Sequence, residues 1–271
     1  MIETLKKTIF NFFSTHFFGK KAYFFIFKKL FLLSLKGMHF IPKNDNSFEG
    51  LSCFFKSIPQ KKPMIILDIG AGSGASSDFL LKHLAPSNLV AIEPSTHSFA
   101  QLNHLFQGNP QVNCHQLALG NKETTLPLFH HADLFQEEKS TLFENQLQTE
   151  LTTTEHVQVT TLDRFCQHHN IPQIELLYLD CNGSELSILQ GAQEMLKRKK
   201  IHRIIFSFGH SYRGTNSQFN DLVQALYEFD INLLLKDGQI ELHPQDISLH
   251  DIYVGKRLYI ATLKWDTLPI C

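Results

Sequence analysis

The run Asp68-Ile69-Gly70-Ala71-Gly72-Ser73-Gly74 sets three glycines directly behind an acid that ends an apolar stretch. Glycines so spaced allow a tight turn and close approach of backbone to a ligand, and a helix starting just beyond adds unsatisfied N–H donors. Glu93 stands about twenty residues past the loop, where a carboxylate in strand–turn–helix sites reaches ribose hydroxyls. Two ligands compete for this arrangement. Gly70, Gly72 and Ala75 satisfy the G-x-G-x-x-A spacing of a dinucleotide site, which keeps a nicotinamide-dependent oxidoreductase in view. Asp68 favours S-adenosylmethionine, because an acid beside the loop repels a pyrophosphate and attracts a cationic methionine group.

Further along, Asp180 ends the apolar run Ile174–Leu179 and precedes Cys181-Asn182-Gly183. An acid capping an apolar strand faces the ligand crevice of an α/β sheet, so Asp180 is one candidate proton acceptor and His210, after a later strand, is the other. Ser140 and Thr141 lie in a polar stretch from which they can touch a substrate. Asp163 is expected to cap a helix or hold a loop, and Glu185 to serve the first turn of its helix. Metal chemistry is not expected. The adjacent pairs His130-His131 and His168-His169 diverge on a strand or a helix, and no cysteine–histidine spacing matches a ligand set. The five cysteines are scattered, with no C-x-x-C, which fits a reducing, cytoplasmic compartment.

The elements that must position these groups alternate. Short apolar runs at Met64–Ile69, Leu89–Ile92, Val112–Leu117, Ile174–Leu179, Arg203–Phe208, Asn232–Leu235 and Leu258–Leu263 read as strands. Helical patterns occupy Ala75–Leu84, Thr96–Phe106, Ser184–Lys199 and Gln218–Phe229, with a short helix opening at Thr161-Leu162-Asp163. Thr124–Phe129 and His156–Thr160 alternate like half-exposed strands around a polar loop, Asp133–Thr154. Strands alternating with helices predict an α/β fold with a mostly parallel sheet covered on both faces.

Bulk charge excludes one class of partner. The net charge is -1 and the pI about 6.9, so nothing in the global balance points to nucleic acid. The near-neutral total hides an uneven start: residues 1–43 hold eight lysines and ten phenylalanines against one acid, Glu3. Residues 1–48 therefore read as a helical N-terminal segment and 49–271 as the main domain, with Pro42–Gly50 as a linker. No apolar run in the first forty residues is long enough for a membrane span. Packing on a protein surface and peripheral membrane contact through residues 1–40 both fit a basic, Phe-rich amphipathic pattern. Liposome co-sedimentation of a chain lacking those residues separates the two.

Five blocks in order carry a resemblance: Asp68-Ile69-Gly70-Ala71; Ile92-Glu93-Pro94-Ser95; Leu117-Ala118-Leu119-Gly120; Thr161-Leu162-Asp163; and Leu179-Asp180-Cys181-Asn182-Gly183-Ser184-Glu185 running on to Ala192. Together they resemble the FkbM family of S-adenosylmethionine-dependent methyltransferases. The resemblance implies a Rossmann-like, seven-stranded class I methyltransferase sheet and O-methylation of a sugar, glycan or related small molecule. Carried over by position, Asp68, Gly70, Ala71, Gly72 and Gly74 belong to the methionine end of the cofactor site. Glu93 and Pro94 fall at the ribose, Gln116, Leu117 and Ala118 border the adenine, and Asp180 faces the transferred methyl group. Two positions depart from the family pattern. Asn182 stands where an acid is usual, and Phe206-Ser207-Phe208 lacks the acid that tends to end the fifth strand. These departures leave a non-catalytic binding module as the alternative to an active enzyme.

Overall fold

The computed structural model describes residues 47–59, 63–130, 140–143, 153–209, 212, 215, 217–235, 238–243 and 256–264. All belong to the compact unit Asn46–Cys271. The Lys- and Phe-rich segment, most of the expected polar loop, and His210 lie outside them.

An eight-stranded sheet forms the centre, in the order β10-β9-β11-β8-β7-β1-β2-β3. Its strands are β1 (Ile65–Ile69), β2 (Asn88–Ile92), β3 (Val112–His115), β7 (Ile174–Leu179), β8 (Ile201–Gly209), β9 (Phe229–Leu235), β10 (Gly238–Glu241) and β11 (Lys256–Leu263). The run β3-β2-β1-β7-β8 pairs in parallel, whereas β11 is antiparallel to both β8 and β9, and β10 is antiparallel to β9. The fold is thus the expected α/β type, with eight strands in this sheet rather than seven; the added one is the short hairpin strand β10.

Strand sequences dictate this layering. Along β1, Leu67 and Ile69 enter one apolar cluster while Ile66 enters the other, and along β7 Leu177 and Leu179 alternate with Leu176 and Tyr178 in the same way. Period-2 alternation in which both faces are apolar requires cover on both sides. The helices α1 (Ser47–Ser57), α2 (Ala75–Leu84) and α3 (Thr96–Leu105) supply Leu51, Leu80 and Leu102 to one face. On the other, α4 (Leu162–His168), α5 (Glu185–Gln190), α6 (Gln193–Lys197) and α7 (Phe219–Ala225) contribute Phe165, Ile188, Met195 and Phe219.

Three departures from the expected elements have local causes. Ser47–Gly50, read as linker, form the first turn of α1, and Gly50 lets the helix meet the end of β9: a Cβ there would stand 2.4 Å from the Leu235 carbonyl oxygen. The helix expected over Ser184–Lys199 is two helices, α5 and α6, interrupted at Gly191-Ala192. Finally, the helix expected to reach Phe229 ends at Ala225, because Phe229 already belongs to β9.

A second sheet, β4-β6-β5, is built from β4 (Ala118–Leu119), β5 (Thr124–His130) and β6 (Thr153–Thr160). Val112–Leu117, read as one strand, leaves the main sheet at His115, so that Ala118 and Leu119 pair with β6 instead. Within the expected loop, Thr141 forms an antiparallel bridge with Phe129, exchanging N–H···O bonds of 2.8 and 3.0 Å.

The break at Gly191 generates a prediction. A Cβ there would sit 2.0 Å from the Gly120 carbonyl oxygen, although the residue's φ of -86° suits any side chain. Gly191→Ala is expected to cost about 1–3 kcal/mol by overpacking alone, read as a lower midpoint in urea unfolding; an unchanged midpoint would show that α5 and the β4 end are not wedged together.

Candidate functional site

The chain runs outward from β1 through β2 to β3 and then crosses to the other side of β1 as β7, making β1 and β7 a topological switch point. Open α/β sheets leave a crevice at the carboxyl ends of strands there. In this protein a partly open cavity occupies that position, lined from the ends of β1, β2 and β7 and from the second sheet.

Gly70, Gly72, Glu93, Pro94, Leu117, Ala118 and Asp180 line the cavity. Gly70 is required by crowding, since its φ is +81° and a Cβ would meet the Asp180 carbonyl oxygen at 2.3 Å. Gly72, also in the left-handed region, has open space where a Cβ would stand. Four residues singled out from the sequence stand behind this wall. Gly74 admits the packing of Leu105 and Leu102, Ala71 is buried in the α1–α3 core, and Gln116 is exposed and donates from Nε2 to Thr96 Oγ1 at 2.9 Å. Asp68 is fully buried. Its Oδ2 accepts the hydroxyls of Ser76 and Ser77 at 2.7 and 2.6 Å, fixing the first turn of α2, while Oδ1 has no hydrogen-bond partner.

Glu93 fastens the loop ends at this crevice. Its Oε2 accepts the Gly72 N–H and its Oε1 the Ser95 N–H, both at 2.9 Å, so one carboxylate ties the glycine loop to the start of α3. Burial pushes its carboxyl up to about 7, against the two N–H donors that favour the anion. Burial likewise pushes Asp68 up to about 6.

Glu185 plays the matching part opposite. Fully buried, it accepts from the N–H groups of Cys181 and Gly183 at 2.8 and 3.0 Å and from the Ser207 hydroxyl at 3.0 Å. It thereby holds the turn that precedes α5, and burial raises its carboxyl. Buried Tyr212 lies beside it, near enough to interact but outside hydrogen-bond geometry. Ser207, expected at the acceptor rim, is buried and hydrogen-bonded to Glu185 instead; an acid at this position would set two carboxylates together in the interior. Asp163 behaves as a loop holder, accepting the Glu194 and Met195 N–H groups that open α6.

Asn182 does reach the cavity. Its Nδ2 donates to the Ser140 carbonyl at 3.1 Å, and its own carbonyl accepts the Thr141 hydroxyl at 3.3 Å. A carboxylate in place of this amide lacks the donor for the first of these bonds. Residues 140–142 accordingly close one wall of the cavity, with Ser140, Thr141 and Leu142 all lining it.

Two features escaped the sequence. Lys256, the first residue of β11, pairs with Asp180 Oδ2; strand register puts it beside Gly209, at the carboxyl end of β8. A hydrogen-bonded chain also runs from Thr96 through Glu155 and His130 to Ser140. The pairing of β5 with β6 and the Phe129–Thr141 bridge bring its members together across the chain, so no local signal announced it. Among the described residues, no group of three or more His, Cys, Asp or Glu is placed to hold a metal ion, and no helix is long and apolar enough to cross a membrane.

Residues 68–233 match the family model described as "Methyltransferase FkbM domain". No curated protein matches the sequence. Among solved structures, a methyltransferase FkbM from Methylobacillus flagellatus KT is similar at 18% identity over 73% of this chain, with a TM-score of 0.46; the match spans 43% of that chain's length. The plantazolicin methyltransferase BpumL in complex with SAH is similar at 12% identity, covering 80% of this chain and 83% of its own, with a TM-score of 0.43. A precorrin-6y C5,15-methyltransferase from Geobacter metallireducens GS-15 is similar at 8% identity, covering 83% and 94%, also at 0.43.

The buried acids make a pH prediction. Between the ordinary carboxyl values of 3.8 and 4.5 and the raised values of about 6 and about 7, the folded protein keeps protons that the unfolded chain has released. Their contribution to stability is therefore full at low pH and is lost as pH rises through that window. Asp68→Asn and Glu93→Gln should each flatten the fall in Tm of the ligand-free protein between about pH 4 and 7, measured by thermal unfolding against wild type. A slope unchanged in both variants would mean that neither acid is protonated in the folded state.

Proposed function

The chain belongs to the FkbM methyltransferase family, and from that premise we propose that it transfers a methyl group from S-adenosylmethionine to a hydroxyl of a sugar, glycan or related small metabolite. The observation that carries this reading is Glu93: a carboxylate held by two backbone N–H groups, on the wall of the same cavity as Asp180. An ionised carboxylate has about four acceptor sites and two are used, which leaves capacity for the paired hydroxyls of a ribose.

The other lining residues fit the same ligand. Ile92, Leu117 and Ala118 offer an apolar slot for the adenine ring, and Gly70 and Gly72 let the methionine end approach the backbone. Family membership weighs against the nicotinamide reading. Asn182 and Ser207, the two departures from the family pattern, each make a hydrogen bond that orders the site, which supports altered specificity over a decayed, non-catalytic module. The free thiols of Cys53, Cys114, Cys166 and Cys181 support a reducing, cytoplasmic setting.

S-adenosylmethionine supplies an electrophilic methyl group, so the protein's own work is to align an acceptor oxygen, exclude water and receive a proton. Leu128 and Leu142 shield one side of the cavity, while Asp180, with one oxygen committed to Lys256, and Asn182 supply polar groups where the acceptor enters.

Isothermal titration with S-adenosylmethionine, S-adenosylhomocysteine and NAD tests the reading. The two sulfur ligands should bind and NAD should not; binding of NAD alone overturns the proposal. Glu93→Ala should weaken binding at least about tenfold, equivalent to about 1.4 kcal/mol. Because the ribose hydroxyls favour the anion of a group poised at about 7 in the free protein, affinity should rise with pH through that value and binding near pH 6.5 should release protons.

A further inference from the structure

Ser140, on the cavity wall, is backed by two side chains in line. Its Oγ lies 2.8 Å from His130 Nδ1, and His130 Nε2 lies 2.9 Å from Glu155 Oε1. The sheet builds this row: His130 ends β5, Glu155 lies on the antiparallel strand β6, and the Phe129–Thr141 bridge carries Ser140 alongside. Both ends are anchored. Glu155 Oε1 accepts the Thr96 N–H at 3.0 Å and Oε2 the Thr96 hydroxyl, while Asn182 Nδ2 holds the Ser140 carbonyl.

The row has a direction. A carboxylate only accepts, so the imidazole proton belongs on Nε2, facing Glu155. Nδ1 is then the acceptor and Ser140 the donor, and a serine oxygen carries two acceptor sites besides its one O–H donor. The imidazole and its carboxylate are 16% and 26% exposed, so both are largely shielded while the serine reaches the ligand space. A serine, a histidine and an acid in series are an arrangement suited to moving a proton.

We propose that Ser140, His130 and Glu155 form a proton relay for the acceptor hydroxyl, an inference that rests on the methyl-transfer reading above. The acceptor oxygen bonds to the methyl carbon as the carbon–sulfur bond breaks, and that bond's electron pair stays on sulfur. The hydroxyl proton passes to Ser140 Oγ as Ser140's own proton passes to His130 Nδ1. Positive charge thus leaves the sulfonium and ends on an imidazolium balanced by Glu155. Ser140 is the group that meets the acceptor; His130 and Glu155 act through it. Asp180 is less suited to this task because Lys256 already occupies one of its oxygens.

Histidine ring-nitrogen NMR of the full ¹⁵N-labelled chain with S-adenosylhomocysteine tests the relay, with His130 assigned by its loss in His130→Gln. An Nε2–H tautomer is expected, with an unprotonated Nδ1 whose resonance shifts in Ser140→Ala and a tautomer preference that is lost in Glu155→Gln. An Nδ1–H tautomer, or an Nδ1 resonance indifferent to Ser140→Ala, overturns the relay, since the ring then has no open site toward the serine. Calorimetry on the same sample separates this from the donor assignment: a bound S-adenosylhomocysteine with the wrong tautomer sinks the relay alone, whereas no binding sinks the methyl-transfer reading.

Discussion

Three neighbouring parallel strands, β2, β1 and β7, end so close together that backbone occupies nearly all the space between them. Gly70 and Ala71 donate to the Ile92 carbonyl at 2.9 and 3.1 Å, Asp180 donates to the Ile69 carbonyl at 3.1 Å, and Cys181 Sγ reaches that same oxygen. The 2.3 Å that a Cβ at Gly70 would leave to Asp180 states the constraint in one distance. Everything functional follows from it. The loops cannot continue as strands, so they splay outward, and the cavity is the space they vacate.

Loops that splay leave N–H groups without strand partners, and burying them unpaired costs as much as a lost hydrogen bond. This protein answers with carboxylates. Glu93 takes the N–H groups of Gly72 and Ser95, Glu185 those of Cys181 and Gly183, and Asp68 the two hydroxyls at the start of α2. Each acid is buried, and for each the desolvation of the charged form outweighs the donors around it. Three acids thus surround the ends of β1, β2 and β7 while Lys256 sits over Asp180.

What the sequence disclosed is what depends on neighbours along the chain. The buried strands, the glycine loop, Glu93 and Asp180 all announce themselves in windows of a few residues, and the strands recur in the structure within three residues of the expected bounds. What stayed hidden depends on partners far apart. Ser207 reads as a position at the rim until Glu185, twenty-two residues earlier, is seen to bond it in the interior. Gly191 reads as a tolerated residue within one helix until the Gly120 carbonyl is found 2.0 Å from its Cβ position. Lys256 pairs with Asp180 across 76 positions, and Thr96 with Glu155 across 59. Side-chain periodicity carries no information about such pairs.

The second sheet is where these hidden pairings concentrate, and that location has a physical reason. The core sheet is constrained on both faces by close-packed helices, so its residues have little freedom to differ. The β4-β6-β5 sheet has a small apolar cluster of its own, Ala118, Leu128, Val157 and Val159, and owes much of its attachment to polar contacts. Thr96 and Gln116 tie its edge to α3, Ser187 holds Asn121 beside it, and Asn182 clasps Ser140 and Thr141. A wall fastened by hydrogen bonds can change its residues without disturbing the core, provided each donor keeps an acceptor. Asn182 illustrates the condition: the amide that breaks the family pattern is also the donor that secures the Ser140 carbonyl. The departure and the wall it supports are therefore one feature.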